Sequence, residues 1–502
     1  MVLSKRPARR TLQQLLPDVV MSPELAEMPV SGICLDSRSV GSGDVFVAVS
    51  GVEHDGRNYI DQAIASGAAA VLAEAQGLRT ERHNVIAVKD LNLQLSDIAG
   101  RFFGNPSDHL VLTGVTGTNG KTTCSQLLAQ LFGLLGETAG VVGTLGYGVI
   151  SSDKTSMTDT GMTTPDAITV QSILSDFVAE GVGRVAMEVS SHSLDQARVK
   201  GLSFHTAIFT NLSRDHLDYH GDLVSYAGAK MQLFAMPGLI NAVINIDDPV
   251  GAEIALQLPP TVNLCSYSLV NANASLYAKE AVASAKGTRA TLQTPWGEGE
   301  LNSALLGRFN LQNLLAVIGA ACCQGLDLVD VLNVLPQLKP VPGRMELVGG
   351  DAGGGPQVVV DYAHTPDALE KVLATLQEHC SGQLWCVFGC GGDRDRGKRP
   401  EMGAIASRYA DSVIITNDNP RSESAESIAE DIREGIAGGS TVITCLDRAE
   451  AIRLAVDGAD VGDIVLIAGK GHESYQLLGA ERLPFSDQVQ ARLALRQRGG
   501  SK

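Results

Sequence analysis

A chain of 502 residues with 44% hydrophobic content and 54 glycines is long enough for about three α/β domains of roughly 150 residues each. Its formal net charge of −17 argues against nucleic acid or an anionic membrane as a partner, and a polyanionic ligand would have to be drawn in by local basic groups and Mg²⁺. The nine cysteines are scattered and lack metal-ligand spacing, and Cys386 and Cys390 have no second pair to complete a zinc site, so buried reduced thiols in a reducing compartment are expected.

The first ten residues are basic and no long apolar span follows them. Neither a signal peptide nor a membrane helix is therefore expected, and the cytoplasm is the default location. Residues 44–49 read as a strand, 59–70 as a helix and 70–73 as another strand. The turn residues at 104–107 put a boundary there, giving a small N-terminal α/β unit over 1–107. An apolar run over 109–115 reads as a buried strand. Beyond it Leu127, Leu128, Leu131, Leu134 and Leu135 share one face of a helix.

Between strand and helix stand Gly117, Thr118, Asn119, Gly120, Lys121, Thr122 and Thr123. This is the context of a phosphate-binding loop. Glycines let backbone N–H groups turn onto phosphate oxygens, and the helix N-terminus adds partial positive charge. Lys121 is placed to reach β/γ-phosphates and Thr122 to offer its hydroxyl to Mg²⁺. The usual pattern has a further glycine five residues before Gly120, and Val115 occupies that place.

Residues 184–189, 206–210 and 242–246 read as buried parallel strands. Loops at the carboxyl ends of such strands line the ligand crevice, which puts 188–192 and 211–220 beside the phosphate loop. Residues 271–300 are polar and read as a peripheral β insertion. A hinge over 340–344 ends the central unit, 108–341. In the last unit, 342–502, strands over 358–360, 384–388 and 413–415 alternate with helices over 368–378, 402–410 and 427–436. Short strands over 442–443 and 464–467 are expected to close this second doubly wound sheet.

Several clusters admit two readings. The stretch Asp215, His216, Leu217, Asp218, Tyr219, His220 is either a Mg²⁺ ligand loop or a solvated turn. Glu188, ending an apolar strand, needs a metal or a basic side chain as partner. Arg394 and Arg421 are either surface charges or a bidentate grip on a carboxylate, with Asp418 and Glu473 accepting from an ammonium. Lys230 has the local context of a helix-surface lysine.

Taken together, these segments resemble the Mur ligase family, the ATP-dependent enzymes that build the peptide stem of bacterial peptidoglycan. The resemblance spans nearly the whole chain. It includes the loop without the standard first glycine, residues 188–192 and 215–218, Gly307 to Asn313, Gly343 to Glu346, and Asp361 to Pro366. Asp418, Asn419, Pro420 and Arg421 resemble the signature of the member that adds meso-2,6-diaminopimelate. The resemblance implies three domains: an N-terminal α/β domain, a central P-loop ATPase domain and a Rossmann-like C-terminal domain. It implies a ligase acting through an acyl phosphate in the biosynthesis that sustains cell wall, cell shape and cell division.

It further implies that Leu35, Ser37, Val52, Glu53 and His54 contact a uridine nucleotide, and that Thr163, Thr164, Ser190, Gln196 and Arg198 hold the muramoyl-dipeptide. ATP would lie on Gly117 to Thr123, Asn310 and Arg344. Lys121, Glu188, His216 and Lys230 would be catalytic. Thr122, Glu188, His216 and a CO₂-carboxylated Lys230 would serve Mg²⁺. Arg394, Asp418 to Arg421, Gly469 and Glu473 would bind diaminopimelate. Met162 departs from relatives that often place Asn before the two threonines. Small-molecule substrates and a monomer are expected. A lysine-adding relative or a folylpolyglutamate synthetase-like ligase is the alternative, and a nucleotide switch without ligase chemistry would leave Arg394, Arg421 and Glu473 idle.

Overall fold

The structure, a computed structural model, describes residues 10–51, 54–80, 82–151, 155–284, 287–349, 355–479 and 481–500. Val52 and Glu53 lie outside the described residues.

The N-terminal sheet has the order Gly32–Cys34, Asp44–Ala48, Ala70–Glu74, Val85–Val88, all parallel. Its strands are near-continuous apolar runs because both faces are covered. Val45 and Val47 point into one core cluster, Phe46 and Ala48 into another. The helix expected over 59–70 is shorter. A 3₁₀ turn, Gly56–Tyr59, leads into Ile60–Ala65, and Gly67 at φ 105° stops it. The helix Leu91–Phe103 ends on Gly104 and Asn105, both left-handed, and packs on Ala167–Ala179, so that Ile168 joins the N-terminal core.

The central sheet has eleven strands among the described residues. Its parallel part runs Ala139–Gly143, Arg184–Glu188, Val111–Thr116, Thr206–Phe209, Asn241–Asn245, Asn263–Ser268. Val111–Thr116 therefore delivers its loop between the ends of Arg184–Glu188 and Thr206–Phe209, the crevice position of an open α/β sheet. The helix Lys121–Leu134 buries Leu127, Leu128 and Leu131 fully, but Leu134 is exposed at its end and Leu135 is the C-cap. Residues 271–300 are not a peripheral insertion. The strands Leu276–Ser284, Gly287–Thr294 and Gly297–Ser303 continue the same sheet through the pair Tyr267↔Leu276. Leu276, Ala278, Ala290, Leu292 and Leu301 fill one core with the helix Arg308–Cys323. A sheet solvated on one face alternates polar with apolar, and its average polarity hides the buried face.

The C-terminal sheet has the order Glu346–Gly349, Gln357–Asp361, Ile464–Ala468, Leu384–Phe388, Ser412–Ile415, Thr441–Thr444. Ile464–Ala468 is thus central rather than closing, consistent with its complete burial on both faces. The antiparallel edge Glu346–Gly349, the helices Arg448–Gly458 and Asp487–Gly500 and the hairpin Tyr475–Leu478/Glu481–Pro484 are additions that periodicity did not mark. Arg214 ties the central and C-terminal sheets by ion pairs to Asp395 at 2.9 Å and Glu401 at 3.0 Å. Among the described residues no helix is long and apolar enough to cross a membrane.

Candidate active site

Gly117 at φ 147° and Gly120 at φ 87° carry the chain from Val111–Thr116 into Lys121–Leu134. A Cβ on Gly117 would stand 1.9 Å from Thr210 Oγ1, and one on Gly120 2.6 Å from Asn313 Oδ1, so the close approach as well as φ demands glycine. The next strand end fixes the loop. Asn119 N donates to Asn211 Oδ1 at 3.0 Å, Thr118 N to Asn211 O at 2.8 Å, and Ser213 N to Thr118 Oγ1 at 3.0 Å. Lys121 Nζ folds over the loop onto the carbonyls of Gly117 (2.9 Å) and Thr118 (2.8 Å). Burial lowers its pKa, against the pull of the Glu188 and Asp215 carboxylates.

Glu188 is 1% exposed. Its Oε2 accepts from Thr122 Oγ1 and Thr144 Oγ1, each at 3.0 Å, and its Oε1 from Thr144 N at 2.8 Å. Hydroxyls and an amide, not Arg or Lys, are its hydrogen-bond partners among the described residues. Arg344 Nη2 donates to the same Thr122 hydroxyl at 3.1 Å, its guanidinium 4.4 Å over the Tyr362 ring. His216, in the left-handed region at φ 54°, stands with Nε2 3.4 Å from Asp215 Oδ2 and its ring edge-on to His192. Burial pushes its pKa down to about 3, so at neutral pH it is an uncharged imidazole fit to donate a lone pair.

Asp215 is 6% exposed, not solvated. Its Oδ2 also lies 3.5 Å from His364 Nε2, and its Oδ1 3.8 Å from Lys398 Nζ. Burial opposes its charge, but the His364 bond and the surrounding charges prevail and hold it well below the usual carboxylate range. Lys230 is likewise not a surface residue. It is 1% exposed, donates to Gly117 O at 2.8 Å, and lies 4.4 Å from the Tyr226 ring centre. Burial first, and the charge of Lys121 second, push its pKa well below the ordinary value. Thr122 and Glu188 are hard oxygen donors of the kind Mg²⁺ takes alongside phosphate oxygens. Among the described residues no group of three or more His, Cys, Asp or Glu forms a cage, so these side chains supply only part of a coordination shell.

Beside the loop, Asn119, Gly120, Phe309, Asn313, Arg344, Tyr362 and Lys371 line a crevice between the central and C-terminal sheets. Asn119 Nδ2 bridges it to Asp367 Oδ2 at 2.9 Å. Asn310 sits one layer behind. Its amide donates to Leu306 O at 2.9 Å and its Oδ1 accepts from Asn313 Nδ2 at 3.3 Å.

On the opposite side of Glu188, Thr164 Oγ1 donates to Glu188 O at 2.9 Å and accepts from Ser190 N at 3.1 Å. Thr163 Oγ1 meets Thr144 Oγ1 at 3.0 Å. Arg198 Nη1 donates to Thr164 O at 2.9 Å and contacts Met162 Sδ at 3.6 Å, while its Nε donates to Gln196 Oε1 at 2.9 Å. Thr164, Ser190, Arg198 and Gln196 are thus linked in one chain of hydrogen bonds, partly through backbone atoms, Thr163 is joined to Glu188 through Thr144, and Met162 lies beside Arg198. Leu35, Ser37 and His54 belong to the N-terminal unit. Ser37 Oγ bonds Gln62 Oε1 at 3.0 Å, Leu35 packs on the core and His54 is exposed.

In the C-terminal sheet, the ends of Leu384–Phe388, Ser412–Ile415 and Ile464–Ala468 gather the remaining candidates. A Cβ on Gly391 would meet Arg421 Nη1 at 3.0 Å and Arg394 Cγ at 3.8 Å, so both arginines flank one glycine. Arg421, at φ 54°, is held by Gly392 O at 2.8 Å. Asn419 Nδ2 donates to Glu473 Oε2 at 2.9 Å. Gly469 at φ 113° leaves no room for a Cβ, which would fall 2.6 Å from Asp418 Oδ2.

Three family models match the chain: "Mur ligase family, catalytic domain" over 29–103, "Mur ligase middle domain" over 115–321 and "Mur ligase, glutamate ligase domain" over 343–471. The chain belongs to the Mur ligase family. Among similar Mur ligases is a UDP-N-acetylmuramoyl-L-alanyl-D-glutamate--2,6-diaminopimelate ligase of Pseudomonas aeruginosa, 52% identical over 491 residues, 97% of this chain and 98% of that one. A protein of the same name from Coxiella burnetii is 46% identical, covering 96% and 99%. A solved structure with that name superimposes with TM-score 0.71 at 39% identity, covering 98% and 99%. A MurF ligase of Thermotoga maritima in complex with ADP shares the fold at TM-score 0.64 and 21% identity, covering 93% and 98%.

In this Mur ligase the structure gives places to residues that sequence reading either passed over, as Thr144 and Lys398, or named only within a motif, as His364, Phe309 and Asn313. Thr144 follows the strand Ala139–Gly143 and completes the Glu188 cradle. His364 and Lys398 reach Asp215 from the C-terminal sheet. Phe309 and Asn313 line the crevice next to Asn310. Thr144 and His364 follow strand ends, the one local signal that could have flagged them, whereas Phe309, Asn313 and Lys398 lie in the helices Arg308–Cys323 and Lys398–Tyr409.

Proposed function

We propose that this chain joins meso-2,6-diaminopimelate to the D-glutamyl carboxylate of UDP-N-acetylmuramoyl-L-alanyl-D-glutamate, using ATP, in peptidoglycan synthesis. What carries this is the placement of Arg394, Arg421, Asn419 and Glu473 at neighbouring ends of one sheet, a sheet whose other strand ends bring Arg344 to the phosphate loop and His364 to Asp215. Near-full-length identity of 52% to a relative named for that reaction supports it. The folylpolyglutamate alternative has only fold similarity, at 20% identity over 75% of this chain.

A carboxylate does not acylate an amine at neutral pH, because oxide is too poor a leaving group. Transfer of the γ-phosphoryl of ATP to a carboxylate oxygen releases ADP and gives an acyl phosphate. The amine nitrogen then attacks the acyl carbon, a tetrahedral intermediate collapses, and the amine loses a proton as phosphate departs. Phosphoryl transfer depends chiefly on positioning and charge neutralisation. Loop N–H groups, Lys121 and Arg344 supply these at one oxygen cluster. Thr122, Glu188 and His216 would hold Mg²⁺, which when bound would supply charge neutralisation and Lewis acidity at the phosphate. Lys230 fits carboxylation: its amine is kept toward the neutral form, and attack of that nitrogen on CO₂ forms an N–C bond, releases a proton and leaves an anionic carbamate.

Thr163, Thr164, Ser190, Gln196 and Arg198 would hold the muramoyl-dipeptide, and Leu35, Ser37 and the 52–54 segment the uridine end. Closure of a C-terminal domain beginning near residue 342 about the 340–344 hinge would shield the acyl phosphate from water. A monomeric cytoplasmic enzyme serving cell-wall growth, shape and division completes the proposal. Arg421→Ala tests the amino-acid assignment. It should raise KM for diaminopimelate about ten-fold or more, the worth of one charge-assisted pair, and leave ATP binding unchanged. An unaltered diaminopimelate dependence would remove Arg421 from the site.

A further inference from the structure

Behind the residues assigned to diaminopimelate lies a buried polar layer with no role in the chemistry described so far. Lys470 is fully buried. Its Nζ donates to Glu473 Oε2 at 2.7 Å and to Asn419 Oδ1 at 3.0 Å. With the Asn419–Glu473 bond at 2.9 Å this closes a three-membered ring of hydrogen bonds. Asn419 Oδ1 also accepts from Leu477 N at 2.9 Å, which leaves the side chain one orientation. Gln476, 8% exposed, donates from Nε2 to Asp418 O at 2.8 Å.

The pattern of what is left over points outward from this layer. Glu473 Oε1 and both carboxylate oxygens of Asp418 accept no hydrogen bond among the described residues, although Asp418 is 8% exposed. Neither carboxylate is sealed from solvent, the Glu473 side chain being 16% exposed, so these oxygens are open to a donor that arrives with a ligand. The charges agree. Lys470 and the buried Arg448 stand against Asp418, Glu473 and Asp487, leaving one uncompensated negative charge. That suits one ammonium group, beside the positive Arg394 and Arg421 that suit a carboxylate. Without Lys470 the excess would double, and Glu473 would lose one of the two bonds that aim it.

We infer that Lys470 and Gln476 are positioning residues that set selectivity for the distal ammonium and carboxylate of a diamino diacid, Lys470 by aiming Asn419 and Glu473 and Gln476 by fixing the backbone at Asp418. This rests on the reading of the site as an amino-acid site. The two are separable, because that reading fails if the wild-type protein shows no diaminopimelate-dependent phosphate release, whatever the variants do.

The test is steady-state kinetics of the full chain carrying Lys470→Met, which keeps the stem length and removes the charge. KM for diaminopimelate should rise ten-fold or more, while KM for ATP and for the UDP-muramoyl-dipeptide stays within two-fold. Gln476→Leu, which disturbs no charge, should show the same split at three-fold or more and carries the test if the lysine variant does not fold. A folded Lys470→Met with unchanged KM for diaminopimelate overturns the inference. So does an equal rise in all three constants, the signature of a merely structural role, or a Gln476→Leu enzyme with wild-type constants.

Discussion

Arg448→Met should destabilise the C-terminal domain severely without touching the nucleotide site. Arg448 is 1% exposed and Asp487 fully buried. The guanidinium pairs with the carboxylate through Nε to Oδ1 at 2.7 Å and Nη2 to Oδ2 at 2.8 Å. It donates further to Asn417 O at 3.1 Å and Ala468 O at 2.9 Å. One side chain thus ties the helix Asp487–Gly500 to the residues just before Asp418 and Gly469. Removing it strands a buried carboxylate, worth about 3–5 kcal/mol. It also deprives two carbonyls of donors, at about 1–3 kcal/mol each. Shared partners make these terms non-additive, so a loss of about 4 kcal/mol is expected. Arg448→Met with Asp487→Leu removes the stranded charge and should recover about half, since the carbonyls stay unpaired. Urea unfolding followed by Trp385 fluorescence, in a Trp296→Phe background, reports the domain, with ATP binding as the control. A loss under about 1 kcal/mol, or a double variant less stable than the single one, would refute the reasoning.

Two further predictions concern the site and the fold. Lys230→Ala should abolish ligation, and a short carboxylic acid in the buffer should restore part of it by replacing the carbamate; an active variant, or an inactive one that no acid rescues, would speak against carboxylation. The Glu423 carboxyl is held down to about 2, from an ordinary 4.5, chiefly by its hydrogen bonds from the Arg399 guanidinium. A depressed folded pKa stabilises above the unfolded value and ceases to as pH falls through the folded one, so this contribution is complete above pH 4.5 and fades toward pH 2. Glu423→Gln should melt lower at pH 7 yet lose less on acidification; parallel melting curves for the two proteins from pH 7 to pH 3 would exclude the linkage.

Local patterns that report directly on burial were legible. The phosphate loop and the strands over 184–189 and 206–210 declare themselves by uninterrupted apolar runs followed by polar turns. Residues 271–300 misled because a one-sided strand dilutes its apolar half with solvent-facing Thr, Glu and Gly. The place of Ile464–Ala468 in its sheet could not be read, since strand order follows from crossovers that leave no local trace. Lys230 is the sharpest case. Its neighbours along the helix look like a surface, and only the approach of Gly117 and Tyr226 makes it a buried amine. Arg448, Lys470 and Asp215 share that character, each being a charged side chain whose burial depends on a partner far along the chain.

The central claim is tested most directly by phosphate release from ATP by the purified full chain, with UDP-N-acetylmuramoyl-L-alanyl-D-glutamate present and the amino acid varied. Release should require meso-2,6-diaminopimelate and fall to background when lysine, which lacks the second carboxylate, is supplied instead. Equal release with lysine, or release with no amino acid at all, would contradict it.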